Sequence, residues 1–312
     1  MSVAFLFPGQ GSQFPGMLHQ LPSHPVIETT LDEATSFMGK DALSIDTSEA
    51  LSSTVSVQLA ILYSGVASGR ALIQEGAEPR FVAGHSVGSF AAAVISEVLS
   101  FRDACELVKL RAEWMENSFR FGYGMGVIKG IAEQKLRSMV EKAFKCGQEV
   151  FIANLNGPHQ ITIAGKLEHI QNLFVEARRN GARKAELLQV SVPSHCKLLN
   201  QVTYDLELAM KKVIFKEPCF PYVANTNARL LRSADAIRND LACGVANPVQ
   251  WHQATTLLSE LGVRLFVEML PGQVLTNLAR QELPSVQSIA MGETRLDSVV
   301  YLINRERKWN ET

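Results

Sequence analysis

A short apolar run, Phe81-Val82-Ala83, leads directly into Gly84-His85-Ser86-Val87-Gly88. The small and apolar segment Ser89-Phe90-Ala91-Ala92-Ala93-Val94-Ile95 follows. Strand, Gly-x-Ser-x-Gly and helix in that order is the setting of a nucleophile elbow. Such a turn is so tight that the residues two before and two after the serine must lack side chains. The serine stands at the tip of the bend with its hydroxyl exposed. The first N–H groups of the next helix point toward it and can stabilise an oxyanion. The plainer account is a Gly-rich turn whose serine only caps a helix; the flanking strand and helix favour an activated Ser86.

A chain of 312 residues holds one large α/β domain with an insertion, or about two domains. A net charge of -1 gives no global field for nucleic acid or an anionic membrane. No run of apolar residues is long enough to span a bilayer. The opening residues lack a basic n-region and their apolar run stops at Pro8, so a signal peptide is not expected. The five cysteines, Cys105, Cys146, Cys196, Cys219 and Cys243, form no C-x-x-C pair. Neither a metal site nor a disulfide framework is expected, and a cytoplasmic location fits.

Residues 3–7 read as a buried strand running into Pro8-Gly9-Gln10-Gly11-Ser12-Gln13, where two glycines allow close backbone approach to a ligand. Residues 54–74 have a helical pattern. After the elbow helix, a second helix extends from about 100 to 119, with Ala104, Leu107, Val108 and Met115 on its apolar face. Arg111 lies on that same face. A guanidinium on a core-facing stripe must find an anion or reach water. Either an internal salt bridge or snorkelling explains it, or it grips a substrate carboxylate in a two-pronged contact.

From 122 to 190 the pattern becomes β-α-β-β-α-β, the ferredoxin-like order. Its strands are expected at 124–130, 150–156, 160–164 and 184–190, and its helices at 132–144 and 167–179. Residues 1–121 and 191–312 alternate strands and helices, which implies a largely parallel sheet covered by helices. The expected architecture is an α/β-hydrolase-like main domain with an inserted ferredoxin-like small domain, and a ligand cleft between them. The chain returns to the main domain through Ser191-Val192-Pro193-Ser194-His195. A histidine on that loop is a candidate base. His24, His159, His169 and His252 lack comparable context.

Five segments together resemble one family over nearly the whole chain. Phe7-Pro8-Gly9-Gln10-Gly11-Ser12-Gln13 looks like the opening of malonyl-CoA:acyl-carrier-protein transacylases, and Gly84-His85-Ser86-Val87-Gly88 matches their elbow. Ser191-Val192-Pro193-Ser194-His195 matches their histidine segment. Asn247-Pro248-Val249-Gln250-Trp251 and Pro271-Gly272-Gln273-Val274-Leu275 match their C-terminal signatures. The resemblance implies Ser86 as nucleophile and His195 as general base. It implies Gln250 as donor of the main-chain carbonyl that orients the histidine. Gln10 and Val87 would supply the oxyanion N–H groups, and Arg111 would bind the malonyl carboxylate. It further implies malonyl-CoA as substrate, an acyl carrier protein as partner, and a thiol on the carrier's prosthetic group as acceptor, with no permanently bound cofactor or metal.

Where most fatty-acid members of that family continue the elbow with Gly-Glu-Tyr, this chain has Gly88-Ser89-Phe90. That form, with Leu110-Arg111-Ala112-Glu113 and the segment Phe266-Val267-Glu268-Met269-Leu270-Pro271-Gly272-Gln273, is similar to the epsilon subunit of malonate decarboxylase. The expectation is therefore a transacylase that loads the decarboxylase's own carrier. A fatty-acid-synthesis transacylase, a serine thioesterase or esterase, and a non-catalytic docking subunit are the alternatives. Arg178, Arg179, Arg183 and Lys184 cluster at the end of the small domain's second helix. They read as cations favouring a helix C-terminus, or as a docking patch for an acidic carrier.

Overall fold

The first strand, β1 (Ser2–Phe7), is buried at every position, and its side chains divide between two cores. Val3, Phe5 and Phe7 enter one, Ala4 and Leu6 the other. A strand buried on both faces reads as an unbroken apolar run, the mark of a parallel sheet covered by helices. The computed structural model describes residues 2–119, 121–190 and 192–308. Ser191, the first residue of the histidine segment, lies outside them.

From β1 the chain runs through α1 (Pro25–Met38), α2 (Thr54–Gln74), β2 (Phe81–Gly84), α3 (Gly88–Ile95) and α4 (Phe101–Ser118). Next come β3 (Tyr123–Lys129), α5 (Glu133–Lys145), β4 (Val150–Gly157), β5 (Gln160–Lys166), α6 (Leu167–Arg179) and β6 (Lys184–Leu187). Then follow α7 (Asn200–Met210), β7 (Tyr222–Val223), β8 (Leu230–Leu231), α8 (Ala234–Cys243) and α9 (Trp251–Glu260). The chain finishes with β9 (Val263–Glu268), α10 (Val274–Glu282), β10 (Gln287–Ala290) and α11 (Leu296–Lys308).

One sheet has the order β10-β9-β1-β2-β7-β8 and is parallel except for the edge strand β8. The second has the order β4-β5-β3-β6 and is antiparallel throughout. β7 is only two residues long, and the chain turns away at Asn225, whose N–H bonds to Asp240. α1 was not expected. Its signals are local: His24 accepts the Val26 N–H, Pro25 opens the first turn, and Gly39 closes the helix at φ 68°. α2 is long and apolar enough to cross a membrane, alone in this among the described residues. It is instead mostly buried, packed by α1, α3 and α4.

α5 and α6 cover one face of the small sheet through Leu136, Val140, Ile170 and Phe174. The opposite face carries Met125, Ala153 and Ala164 and packs on Cys196, the residue after His195. Val249 stitches the two sheets together. Its N–H donates to Ala153 O at 2.9 Å, and its carbonyl accepts the Leu155 N–H at 2.9 Å. The Asn247-Pro248-Val249 segment is thus a strut between sheets before it leads into α9.

The elbow joins β2 to α3. Ser86 has φ 56°, a left-handed backbone that costs a residue other than glycine about 1–3 kcal/mol. A Cβ on Gly84 would stand 2.2 Å from Ser89 N, and one on Gly88 would stand 2.2 Å from Phe7 O and 2.5 Å from Pro8 O. All of these neighbours are backbone atoms and cannot swing aside. Gly88→Ala is therefore expected to destabilise the fold by about 3 kcal/mol or more. Gly147→Ala, at φ 82° with no atom near its added Cβ, should cost only about 1–2 kcal/mol of backbone strain. Urea denaturation of the two variants checks this; equal losses would mean that the elbow contact is not the reason for Gly88.

Candidate active site

The elbow places Ser86 Oγ 2.7 Å from His195 Nε2. The two residues lie on different connections of the parallel-sheet unit, and each takes a positive φ, 56° and 62° respectively. The His195 backbone is fixed by its N–H, which donates to Val245 O at 2.8 Å. Its Nδ1–H donates to Gly244 O at 2.6 Å, which leaves Nε2 free to accept the Ser86 hydroxyl proton.

The carbonyl that orients His195 thus belongs to Gly244, not to Gln250. The Gln250 carbonyl is occupied elsewhere: it accepts the Ala254 N–H at 2.9 Å as the first bond of α9. Its N–H donates to Asn225 O at 2.7 Å. The sequence resemblance placed this carbonyl on Gln250, within Asn247–Trp251, whereas Gly244 lies just before that segment, where α8 ends.

His195 is buried, and burial is the main reason its pKa falls to about 3. The Arg111 guanidinium and the His85 ring push in the same direction, while the Gly244 carbonyl opposes them. A histidine held neutral in this way is set to accept a proton, not to carry one at rest.

Arg111 projects from α4, is 2% exposed, and directs Nη2 toward Ser86 Oγ at 3.4 Å. Its Nη1 donates to Gln58 Oε1 at 2.5 Å. No ion pair among the described residues includes it, so the internal salt bridge is absent; burial excludes snorkelling. Burial also lowers its pKa to about 10, which leaves it charged at neutral pH. Among the described residues, the hydrogen bonds of this buried cation go to an amide and a hydroxyl, not to the anion that burial demands. Gln58, on α2, was not singled out in the sequence, because a lone amide in an apolar helix carries no motif.

Gln10 and Val87 line the same cavity as Ser86, Arg111 and His195; its free volume is about 50 Å³. Among the described residues, neither the Gln10 nor the Val87 N–H donates to a loop partner. The Gln10 loop is pressed onto the elbow: a Cβ on Gly9 would lie 2.5 Å from His85 O. Behind it, Glu268 caps α10 by accepting the N–H groups of Leu275 at 3.0 Å and Thr276 at 2.6 Å. Burial pushes this carboxyl up to about 7, against those N–H groups. Gly272 of the capped turn packs against Ser12 O, so the Pro271-Gly272-Gln273 motif buttresses the Gln10 loop.

His85 turns from the nucleophile and meets Asn156 Oδ1 at 3.0 Å and the edge of Trp251. Half of the basic cluster is engaged locally: Arg178 donates to Ala185 O and Lys184 pairs with Glu186 at 2.6 Å. Asn225 is a site residue that sequence reasoning missed. Its Oδ1 accepts the Ser86 N–H at 2.9 Å. Only its place at a strand end marked it.

A strained serine, a neutral histidine on a carbonyl and a buried arginine with no anionic partner among the described residues thus meet in one cavity. The chain belongs to the acyl transferase domain family, whose model matches residues 4–297. It is 36% identical over 296 residues to malonyl CoA-acyl carrier protein transacylase of Escherichia coli K12, covering 93% of this chain and 96% of that one. The protein of the same name from Bacillus subtilis 168 is 32% identical, with 93% of each chain covered. Among solved structures, the transacylase of Coxiella burnetii superposes with TM-score 0.93 at 32% identity, covering 98% of both chains. A malonyl-transacylase in complex with its type II PKS acyl-carrier protein gives TM-score 0.92 at 34% identity, covering 96% of this chain and 99% of that one.

The pH dependence of Ser86 reactivity follows from the His195 environment. The neutral ring is present above its pKa and lost as pH falls through it. Inactivation by a neutral sulfonyl fluoride should therefore persist well below pH 6.5. In Arg111→Gln one cause of the depression is gone, so the acid limb should rise by about one pH unit or more. An unmoved limb would mean that the guanidinium does not act on His195.

Proposed function

We propose that this protein transfers a malonyl group from malonyl-CoA to the thiol of an acyl carrier protein through a malonyl ester on Ser86. The observation that carries the reading is Arg111, a buried guanidinium beside the serine with no anionic partner among the described residues. The names of the relatives support both substrates. The complex of one structural relative with its carrier supports the partner.

The malonyl carboxylate pairs with Arg111, which Gln58 holds in place. His195 Nε2 takes the Ser86 proton as Oγ attacks the thioester carbon. The N–H groups of Gln10 and Val87 hold the oxyanion. Its collapse breaks the C–S bond, and the leaving thiolate takes the proton back from His195. In the second half-reaction the carrier's thiol gives its proton to His195 and attacks the ester. Ser86 leaves as an alkoxide and recovers the proton. The Gly244 carbonyl keeps the ring in the tautomer that both halves need.

The relatives named above are malonyl CoA-acyl carrier protein transacylases, which favours a fatty-acid-type enzyme over the specialised decarboxylase subunit. The decarboxylase reading rested on Gly88-Ser89-Phe90 and on local similarities around Arg111 and Phe266. We also read 1–121 with 191–312 as an α/β-hydrolase-like unit and 122–190 as ferredoxin-like. The elbow at the end of a parallel strand supports the first. The β-α-β-β-α-β order of the antiparallel sheet supports the second.

Brief exposure to malonyl-CoA should add one malonyl mass to the intact wild type and none to Ser86→Ala. The adduct should then move to a holo-carrier thiol. CoA release in steady turnover without an acceptor would instead identify a thioesterase, and no adduct on folded protein a docking subunit. Arg111→Ala should slow malonyl transfer by about two to four orders of magnitude, since losing a buried ionic partner costs about 3–5 kcal/mol. Acetyl transfer should change far less. Equal losses for both acyl groups would remove Arg111 from substrate recognition.

A further inference from the structure

The Ser86 N–H lies at a positive-φ turn, outside the ladder of β2 and the hydrogen bonds of α3. A half-buried N–H so placed, outside any regular ladder, is best satisfied by an acceptor from elsewhere in the chain. Asn225 Oδ1 supplies it at 2.9 Å. The other end of the same amide donates to Gly84 O at 2.7 Å and to Ser89 Oγ. One planar group therefore touches the turn before the serine, at the serine and after it.

Asn225 is itself held in place. Its N–H donates to Asp240 Oδ2 at 3.0 Å, and its carbonyl accepts the Gln250 N–H at 2.7 Å. Asp240 is buried, and no ion pair among the described residues includes it. Its charge is met by donors alone: Tyr222 OH at 2.9 Å, Thr226 N–H at 3.0 Å and Thr226 Oγ1–H at 2.7 Å, besides Asn225. The Asp240 carbonyl accepts the Gly244 N–H at 2.9 Å. Gly244 O is the group that orients His195.

We propose that Asn225 and Asp240 are positioning residues that set the nucleophile and its base from one buried support. Asp240 fixes Asn225, which holds Ser86 in its left-handed conformation. The same end of α8 presents Gly244 to His195. A shift of this support moves Ser86 against His195, while Arg111 keeps its own support from α4 and Gln58. The proposal rests on the reading of Ser86 as nucleophile.

The test is single-turnover acylation of the full chain by saturating malonyl-CoA, read by intact mass. Affinity is measured in parallel on a Ser86→Ala background. Asn225→Ala should acylate about a hundredfold more slowly, the scale of a misplacement near 1 Å, with the malonyl-CoA Kd within about twofold. Asp240→Asn should also slow acylation at constant Kd, because its amide NH₂ would face N–H and O–H donors. A purely structural role would lower the melting temperature without splitting rate from affinity. Folded Asn225→Ala with a wild-type rate overturns the proposal, as does a loss of rate matched by an equal loss of affinity. If Asn225→Ala does not fold, Ser89→Ala decides. It removes one acceptor of the Asn225 amide and should slow acylation severalfold; an unchanged rate overturns the proposal. If wild type takes no malonyl, the proposed function has failed, not the positioning. The same variants are then compared by their rate of inactivation with a neutral sulfonyl fluoride, under the same criteria.

Discussion

The structure depends on a contact between two backbones. The end of β1 and the turn into α3 meet with no side chain between them: Gly88 lies against the carbonyls of Phe7 and Pro8, and the His85 N–H bonds to Phe7 O. That contact fixes the Gln10 loop relative to the serine and directs the start of α3 at the same point. Gln58 reaches this crossing from α2, and three other groups of the site come from farther along the chain. Arg111 comes from α4, His195 from the connection after the small sheet, and Asn225 from the end of β7.

The small sheet belongs to the site as much as the parallel one does. Its face away from α5 and α6 packs on Cys196, so the loop that carries His195 is backed by Met125, Ala153 and Ala164. Val249 ties β4 to the segment that follows α8. The histidine is thus held from the small sheet on one side and from Gly244 on the other. Glu268 performs a comparable service for the Gln10 loop, through two N–H groups of α10 and the turn they anchor.

What was legible in the sequence was what local chemistry forces. Gly84 and Gly88 announce a turn with no room for side chains, and β1 announces burial on both faces. Arg111 stood out because a charge interrupted an apolar stripe. Less could be read where function depends on a backbone atom, since any residue has a carbonyl. Gly244 and Gln250 differ only in which of them a helix leaves unbonded, and that is decided by where α8 ends and α9 begins. Asn225, Asp240 and Gln58 are polar groups satisfied by partners remote in the chain, so no spacing betrays them. α1 escaped notice although His24, Pro25 and Gly39 mark both of its ends.

The Arg111 charge reaches further than the anion it faces. It is one of the influences that keep the His195 ring from taking a proton. Any anion seated on the guanidinium would oppose that influence, because a negative charge near an imidazole favours its protonated form. The same side chain that would hold an anion therefore also sets the electrostatics of the base beside it.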